Sequence, residues 1–216
     1  MTDRRGLERA CIPSPGDSIS NVTTDSAQAV LGTIGKAATA GINWIQVREK
    51  DLGTRALVEL VRLAITATRG TGTRILVNDR LDVALAAGAA GIHLGETSLP
   101  VEAVAEWRRS AGRAKFRIGA SCHSLDLARA ADHAGADYIF FGPVFATPSK
   151  AVFGAPQGIE RLRDVCKSVS IPVLAIGGVT LENAHSCFTV GAAGVAAIRL
   201  FQESEDVSAV LKRLRE

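Results

Sequence analysis

Short apolar, β-branched runs alternate along the chain with longer segments of helical period. Within most of these runs the residues are apolar in succession rather than at every second position. That pattern is typical of strands buried on both faces of a parallel sheet. Eight runs are candidate strands: 20–23, 42–47, 74–78, 91–94, 116–120, 138–141, 172–176 and 194–198.

Amphipathic helices are predicted between these strands, because apolar residues recur there at intervals of three and four positions. The clearest segments are 55–69, 100–109, 125–134 and 207–214. Glycines follow several helical segments, where a left-handed residue closes a helix. Gly41, Gly88 and Gly135 are 47 residues apart (88 − 41 and 135 − 88), about two strand–helix units. This spacing indicates one internally repeated domain.

Eight strands that are each followed by a helix predict an α/β fold, the (β/α)8 TIM barrel. We expect residues 19–216 to form this single barrel domain and residues 1–18 to be a flexible N-terminal segment. An open, doubly wound sheet is the alternative. The glycine fingerprint of a dinucleotide-binding domain, GxGxxG after the first strand, is absent.

Composition and charge narrow the classes of partner. The 216 residues include 25 Lys and Arg against 22 Asp and Glu, and 47% are hydrophobic, so the balance is that of a globular domain. A net charge of +3 gives no argument for binding nucleic acid or a membrane. No eighteen consecutive residues are apolar, and the first twenty lack a signal-peptide core. The four cysteines contain no CxxC pair, so we expect reduced thiols and a cytoplasmic location.

The active site of a TIM barrel lies at the carboxyl ends of its strands, so polar residues there are candidates. In an extended chain Gln46, Arg48 and Lys50 lie on one side of the second predicted strand. Two cations beside an amide favour an anionic ligand such as a phosphate or pyrophosphate. The alternative is a solvated strand end neutralised by Glu49.

The next three strand ends carry acid–base groups. Asp79 either caps the following helix or binds a Mg²⁺ ion that bridges phosphate oxygens. His93 lies between apolar neighbours, which favours a hydrogen-bonded core histidine over a catalyst. His123 lies at the rim, where a general acid or base would be placed, and a simple rim histidine is the alternative. Ser124 is expected to cap the next helix.

The last loops offer further anion-binding groups. The loop after the sixth predicted strand is rich in hydroxyls and contains Lys150, so it is suited to fold over a phosphate. Gly177 and Gly178 follow the seventh predicted strand, and glycines there let backbone N–H groups approach an anion. Two anion-binding regions predict two phosphorylated groups or one doubly anionic ligand.

The motifs at these strand ends resemble the thiamine-phosphate synthase/TenI superfamily. They match it in order and spacing over roughly residues 20–200, and the resemblance also implies a (β/α)8 barrel. The matching segments are QVREK at 46–50, VNDR at 77–80, GIHLG at 91–95, GPVF at 142–145, TPSK at 147–150 and AIGGV at 175–179.

For the synthase branch, the resemblance implies coupling of hydroxymethylpyrimidine diphosphate to a thiazole phosphate with release of pyrophosphate. The implied partners are these two phosphorylated small molecules and Mg²⁺, with Arg48, Lys50 and Lys150 stabilising the leaving group. Gly178 matches the thiazole-phosphate site. The residues that match the pyrimidine-diphosphate site are Gln46, Arg48, Lys50, Asn78, Asp79, Ser121, Thr147, Ser149 and Lys150.

Two other functions stay open. The TenI branch aromatises a thiazole carboxylate phosphate, which implies His123 as the acid–base residue and no metal. A non-catalytic binder of thiazole phosphate or thiamine phosphate is the third hypothesis. The resemblance further suggests a homodimer, and neither nucleic acid nor membrane is implied.

The sequence departs from the synthase pattern at two positions. Ser98 stands where the synthase has its second metal-binding aspartate, and Glu96 is the nearby carboxylate that would have to substitute. Arg199 lies in the segment that carries the synthase's phosphate-binding serine. Arg199 either binds phosphate itself or lies outside the barrel.

Overall fold

The computed structural model describes residues 19–147 and 155–216. In these ranges seven parallel strands form one sheet, in which each strand pairs with its neighbours in chain order. A doubly wound sheet reverses its strand order near the middle, so the sequential order excludes that alternative. The strands are β1 (Trp44–Val47), β2 (Arg74–Asn78), β3 (Gly91–Leu94), β4 (Arg117–Cys122), β5 (Tyr138–Phe141), β6 (Val173–Ile176) and β7 (Gly194–Ala196).

Helices connect these strands and confirm the four segments for which helical period was predicted. Ser124 caps its helix as expected, since its Oγ accepts the Leu127 N–H at 3.2 Å. The helices are α1 (Ile19–Thr39), α2 (Thr54–Ala67), α3 (Leu81–Ala87), α4 (Val101–Ser110), α5 (Leu125–His133), α6 (Gly158–Ser168), α7 (Leu181–Thr189), α8 (Arg199–Gln202) and α9 (Val207–Arg215).

The sheet is strongly curled. Trp44 in β1 and Tyr138 in β5 have ring centroids 4.7 Å apart, whereas four strand spacings in a flat sheet would separate them by about 19 Å. Ala196 in β7 packs against the same cluster of inward-facing side chains. Residues of the two outermost described strands therefore pack against one common inner cluster, as expected for a curled, barrel-like sheet.

Two apolar clusters lie outside the sheet, between the strands and the helices. One is formed mainly by α1 to α4 with the outward faces of β1 to β4, and the other by α5 to α7 with β4 to β6. These layers make the strands apolar on both faces. The α/β barrel-type fold predicted from the sequence is thereby confirmed.

The strand predicted at residues 20–23 is wrong. These residues lie in α1, which begins at Ile19 and runs to Thr39, so the described residues contain seven strands rather than eight. The buried residues of α1 include Val30, Ile34 and Ala38, which follow the four-residue helical interval. A four-residue run with one apolar residue is too weak a signal against this periodicity. The predicted flexible segment 1–18 lies outside the described residues.

Two further expectations concern membranes and thiols. None of the helices in the described ranges is long and apolar enough to cross a membrane. Cys122 and Cys187 are buried and unpaired, and Cys166 is half-buried and unpaired. Burial raises the pKa of the Cys122 thiol to about 12 and that of Cys187 to about 11. These cysteines act as small core residues, while Cys11 lies outside the described residues.

Candidate functional site

Polar side chains replace apolar ones at the carboxyl end of the curled sheet, on its inner face. Gln46 follows Trp44 at the two-residue interval of one strand face, and its Nε2 donates to Asn78 Oδ1 at 2.8 Å. Gln46 is only 4% exposed. Its Oε1 has no hydrogen-bond partner among the residues that the structure describes. A buried acceptor without a donor is costly, so this oxygen is suited to a ligand's N–H.

His93 is a core histidine, as its apolar neighbours in sequence predict. Its Nδ1 lies 3.0 Å from Tyr138 Oη and its Nε2 lies 2.9 Å from Ser121 Oγ. The ring also stacks on Phe140, with centroids 4.1 Å apart. Burial lowers the pKa of His93 to about 3, so its imidazole is neutral at physiological pH. These hydrogen bonds lead from the core to Ser121, which lies near the carboxyl end of β4. We call the opening of the curled sheet at the carboxyl ends of its strands the mouth.

Asp79 follows β2 in an unusual backbone conformation. Its φ is 64°, the left-handed region that residues other than glycine rarely adopt. The Arg80 N–H donates to the Asn78 carbonyl at 2.7 Å, which closes a γ-turn around Asp79, and the Asp79 N–H donates to the His93 carbonyl at 2.8 Å. The carboxylate is exposed at the mouth. Asp79 is not the N-cap of α3, which is Arg80.

The cations after β1 lie beyond the strand. β1 ends at Val47, so strand alternation accounts for the inward position of Gln46 but does not extend to Arg48 and Lys50. Arg48 is half-buried and Lys50 is exposed, while Glu49 between them is buried. Both cations still follow the carboxyl end of β1, two and four residues after Gln46.

Arg199 lies on the site side of the barrel rather than outside it. It begins α8, just after β7, and its Nη2 donates to Thr147 Oγ1 at 3.2 Å. Thr147 belongs to the loop after β5, so this bond links two loops that are 52 residues apart in sequence. The other two predicted residues of that loop, Ser149 and Lys150, lie outside the described residues.

His123 lies at the rim after β4, as predicted, and is half-buried. Its Nδ1 is hydrogen-bonded to the Gly142 carbonyl. A carbonyl only accepts, so Nδ1 carries a proton and Nε2 carries the lone pair when the ring is neutral. This orientation suits a general base.

Gly177 and Gly178 have φ angles of 90° and 67°. A Cβ on Gly177 would lie 2.6 Å from Pro143 Cα, and one on Gly178 would lie 2.8 Å from Phe145 Cβ. The Phe145 N–H also donates to the Gly177 carbonyl at 3.0 Å. The pair is therefore required by the close approach of the loops after β5 and β6, apart from any ligand.

The loop after β3 offers limited metal chemistry. Ser98 Oγ accepts the Gly95 N–H at 2.7 Å, which assigns the hydroxyl a role in the turn, while Glu96 is exposed. In the described ranges no three His, Cys, Asp or Glu side chains cluster as a metal site. Asp79 is thus the main protein carboxylate among the predicted metal ligands.

Two polar residues of the site were missed in the sequence. Tyr138 bonds to His93, and Asn183 donates from Nδ2 to the Gly178 carbonyl at 3.0 Å while its Oδ1 accepts the Thr180 N–H at 2.8 Å. Tyr138 is the only tyrosine of the chain and occupies an otherwise apolar strand, which is a signal for a buried polar contact. Asn183 occupies the third helical position after Thr180, a capping-box pattern.

Comparison with known proteins identifies the family. Residues 19–201 match the family model described as thiamine monophosphate synthase. A relative from Geobacter sulfurreducens is 47% identical over 179 residues, which covers 81% of this chain and 82% of the relative. Thiamine-phosphate synthase from Moorella thermoacetica is 42% identical over 189 residues, covering 88% of this chain and 86% of the relative.

Comparison with solved structures supports the same family. Thiamine phosphate pyrophosphorylase from Pyrococcus furiosus matches with a TM-score of 0.75 and 36% identity, covering 86% of this chain and 87% of that one. 3-Hexulose-6-phosphate synthase matches with a TM-score of 0.64 at 17% identity, which supports the fold alone. The family match extends over most of the chain and the relatives align along most of their length, so the chain belongs to the thiamine monophosphate synthase family.

Proposed function

We propose that the chain is a thiamine-phosphate synthase, a transferase that joins hydroxymethylpyrimidine diphosphate to a thiazole phosphate and releases pyrophosphate. The relatives named as thiamine-phosphate synthases support this activity. The observation that carries it is the buried Gln46 Oε1, which lacks a donor among the described residues. The aminopyrimidine brings an NH2 group that can donate to this oxygen, whereas the thiazole substrate of a tautomerase has no such donor.

In this proposal the diphosphate binds beside Arg48 and Lys50. Both cations follow β1 directly after Gln46, so a pyrimidine held by Gln46 brings its diphosphate within their reach. Arg48 offers a planar fork of donors to phosphate oxygens, while Lys50 supplies a compact charge. Thr147, Ser149 and Lys150 complete the proposed diphosphate site on the strength of the family resemblance.

Magnesium fits this donor set. Mg²⁺ in phosphoryl chemistry typically keeps several waters and is held by one or two carboxylates together with substrate phosphates. One exposed carboxylate, Asp79, in the loop after β2 therefore suffices, and Glu96 in the loop after β3 is a further exposed carboxylate. When bound, the ion would neutralise charge on the pyrophosphate. A cytoplasmic location belongs to the same proposal, on the ground of the unpaired cysteines among the described residues.

Charge stabilisation is the main contribution of the protein to the reaction. The bond between the pyrimidine methylene carbon and the diphosphate oxygen breaks, and its electron pair leaves with pyrophosphate. Arg48, Lys50 and Lys150 offset that developing negative charge, where preorganised cations are most effective. The lone pair of the thiazole nitrogen then forms the new C–N bond, while Gln46 and Asn78 hold the pyrimidine ring in place.

The thiazole phosphate is assigned to the region between the loops after β6 and β7. Gly178 leads into α7, whose N-terminus favours an anion, and Arg199 supplies a cation where the family pattern has a serine. The charged guanidinium of Arg199 thus takes the place of the hydroxyl donor in the family pattern.

Tautomerase activity is the second candidate, because His123 holds its Nε2 lone pair in the orientation of a base. Steady-state kinetics of two variants separate the activities. For a synthase, Asp79→Ala abolishes the Mg²⁺-dependent coupling and His123→Ala has a mild effect. A severe loss in His123→Ala, with turnover of the thiazole carboxylate phosphate unaffected by EDTA, would instead establish the tautomerase. Ligand binding without either turnover would establish the non-catalytic binder.

A further inference from the structure

We propose that Tyr138 and His93 are positioning residues that fix the direction of the Ser121 hydroxyl, so that Ser121 donates its proton to an acceptor atom of the pyrimidine diphosphate. The proposal rests on the proposed function for the identity of the ligand. The direction of the hydroxyl follows from the protein alone.

Tyr138, His93 and Ser121 form a linear hydrogen-bond chain, and its inner end at Tyr138 is buried. Tyr138 is 0% exposed and His93 is 1% exposed. Trp44 and Phe140 flank the rings, with centroid distances of 4.7 Å from Trp44 to Tyr138 and 5.5 Å from Phe140 to Tyr138. Among the described residues, the Tyr138 hydroxyl is hydrogen-bonded to His93 Nδ1 alone, at 3.0 Å.

The neutral imidazole has one N–H and one acceptor nitrogen, so two arrangements are available. If Nδ1 carries the proton and donates to Tyr138, the phenolic O–H is left buried without an acceptor, which is destabilising. If Tyr138 donates to Nδ1, the proton of the ring lies on Nε2 and is donated to Ser121 Oγ. Only the second arrangement provides an acceptor for both the phenolic O–H and the imidazole N–H.

Ser121 lies at the outer end of this chain. It is half-buried near the carboxyl end of β4, and its Oγ lies 2.9 Å from His93 Nε2. Because that oxygen accepts from His93, its own proton is directed to another acceptor. Among the described residues Ser121 Oγ has no side-chain partner other than His93, and Gln46 Oε1 receives no hydrogen bond from it, so the acceptor is supplied by the ligand: a ring nitrogen or a diphosphate oxygen.

The Tyr138 ring is also fixed in position by the backbone. Gly119 in β4 pairs with Tyr138 in β5 and with His93 in β3. A Cβ at Gly119 would overlap the phenol ring, so glycine leaves the space that the ring fills. The strand register thus brings phenol, imidazole and serine into one line.

The tautomer of His93 tests the protein part of the proposal without any substrate. Protein labelled with ¹⁵N at its histidines is examined by long-range ¹H–¹⁵N NMR, and the loss of one signal set in His93→Gln assigns His93 among the four histidines. We expect the proton on Nε2 in the wild type, and a mixture of tautomers in Tyr138→Phe. A proton on Nδ1 in the wild type, or an unchanged spectrum in Tyr138→Phe, would overturn the proposal.

A double-mutant cycle tests the link to the substrate. Tyr138→Phe is expected to lower kcat/KM for the pyrimidine diphosphate by about tenfold, equivalent to about 1.4 kcal/mol, with KM for the thiazole phosphate unchanged. In a Ser121→Ala background the same change should have no further effect, whereas additive losses would contradict action through Ser121. Trp107→Phe, in the outer layer, serves as the control. If the wild type has no synthase activity the proposed function fails, and the NMR result still decides the hydroxyl direction.

Discussion

At the scale of single residues, Asp79 shows that a candidate functional residue can adopt a backbone conformation that its residue type rarely adopts. Its left-handed φ of 64° costs an ordinary L-residue about 1–2 kcal/mol. The sequence marks Asp79 as a candidate by its place after a strand, but gives no sign of the γ-turn. Strained conformations of this kind persist where the surroundings hold them and are frequent at functional sites.

Replacement of Asp79 by glycine is expected to separate stability from activity. Glycine adopts this φ without steric cost, so Asp79→Gly should leave the free energy of unfolding unchanged or raise it by up to about 1 kcal/mol. Loss of the carboxylate should abolish Mg²⁺-dependent coupling. Urea unfolding and the coupling assay measure the two effects.

Asp164→Gly, in the interior of α6, is the matched control and should lower stability by about 0.3 kcal/mol, the difference in helix propensity between Asp and Gly. A comparable loss of stability in Asp79→Gly would show that its backbone is not strained.

His93 makes a specific contribution to the pH dependence of stability. Its pKa is about 3 in the folded protein and ordinary, about 6.5, in the unfolded chain. Between these values the unfolded state binds the extra proton, so the contribution is complete above pH 6.5 and is lost as the pH falls towards 3. We expect unfolding free energies of wild type and His93→Gln to converge over this range, and curves that stay parallel would contradict it.

At the scale of elements, continuous apolar runs locate strands well. Strands β2, β3 and β5 begin and end at the predicted residues, because two-sided burial leaves a clear mark in sequence. The run at 20–23 fails because one valine beside threonine also fits a helix. Register also lies beyond local patterns: pairing of Gly119 with Tyr138 depends on the whole sheet.

The packing of β4 against β5 predicts that a larger residue at position 119 lowers the stability of the protein. In Gly119→Ala the added methyl group overlaps the Tyr138 ring, and overpacking of this kind costs about 1–3 kcal/mol or more. Gly72→Ala is the control, since nothing lies within 4 Å of a Cβ there. Chemical denaturation compares the two, and equal stabilities would show that the ring moves aside freely.

At the scale of the whole molecule, curling of the sheet creates the site. Candidate residues at the strand ends could be predicted because parallel strands point their carboxyl ends the same way. The Gln46–Asn78 and Arg199–Thr147 bonds could not, since they join residues 32 and 52 positions apart. Side-chain partners of this kind depend on three-dimensional geometry that has no local sequence signal.

A thiamine-phosphate synthase must release pyrophosphate from the pyrimidine diphosphate at this mouth. A pyrophosphate-release assay with the pyrimidine diphosphate, the thiazole phosphate and Mg²⁺, run beside an EDTA control, tests it most directly. We expect metal-dependent release with an equal amount of thiamine phosphate formed. Folded protein that releases no pyrophosphate under these conditions would refute the proposed synthase activity and favour proton transfer at His123.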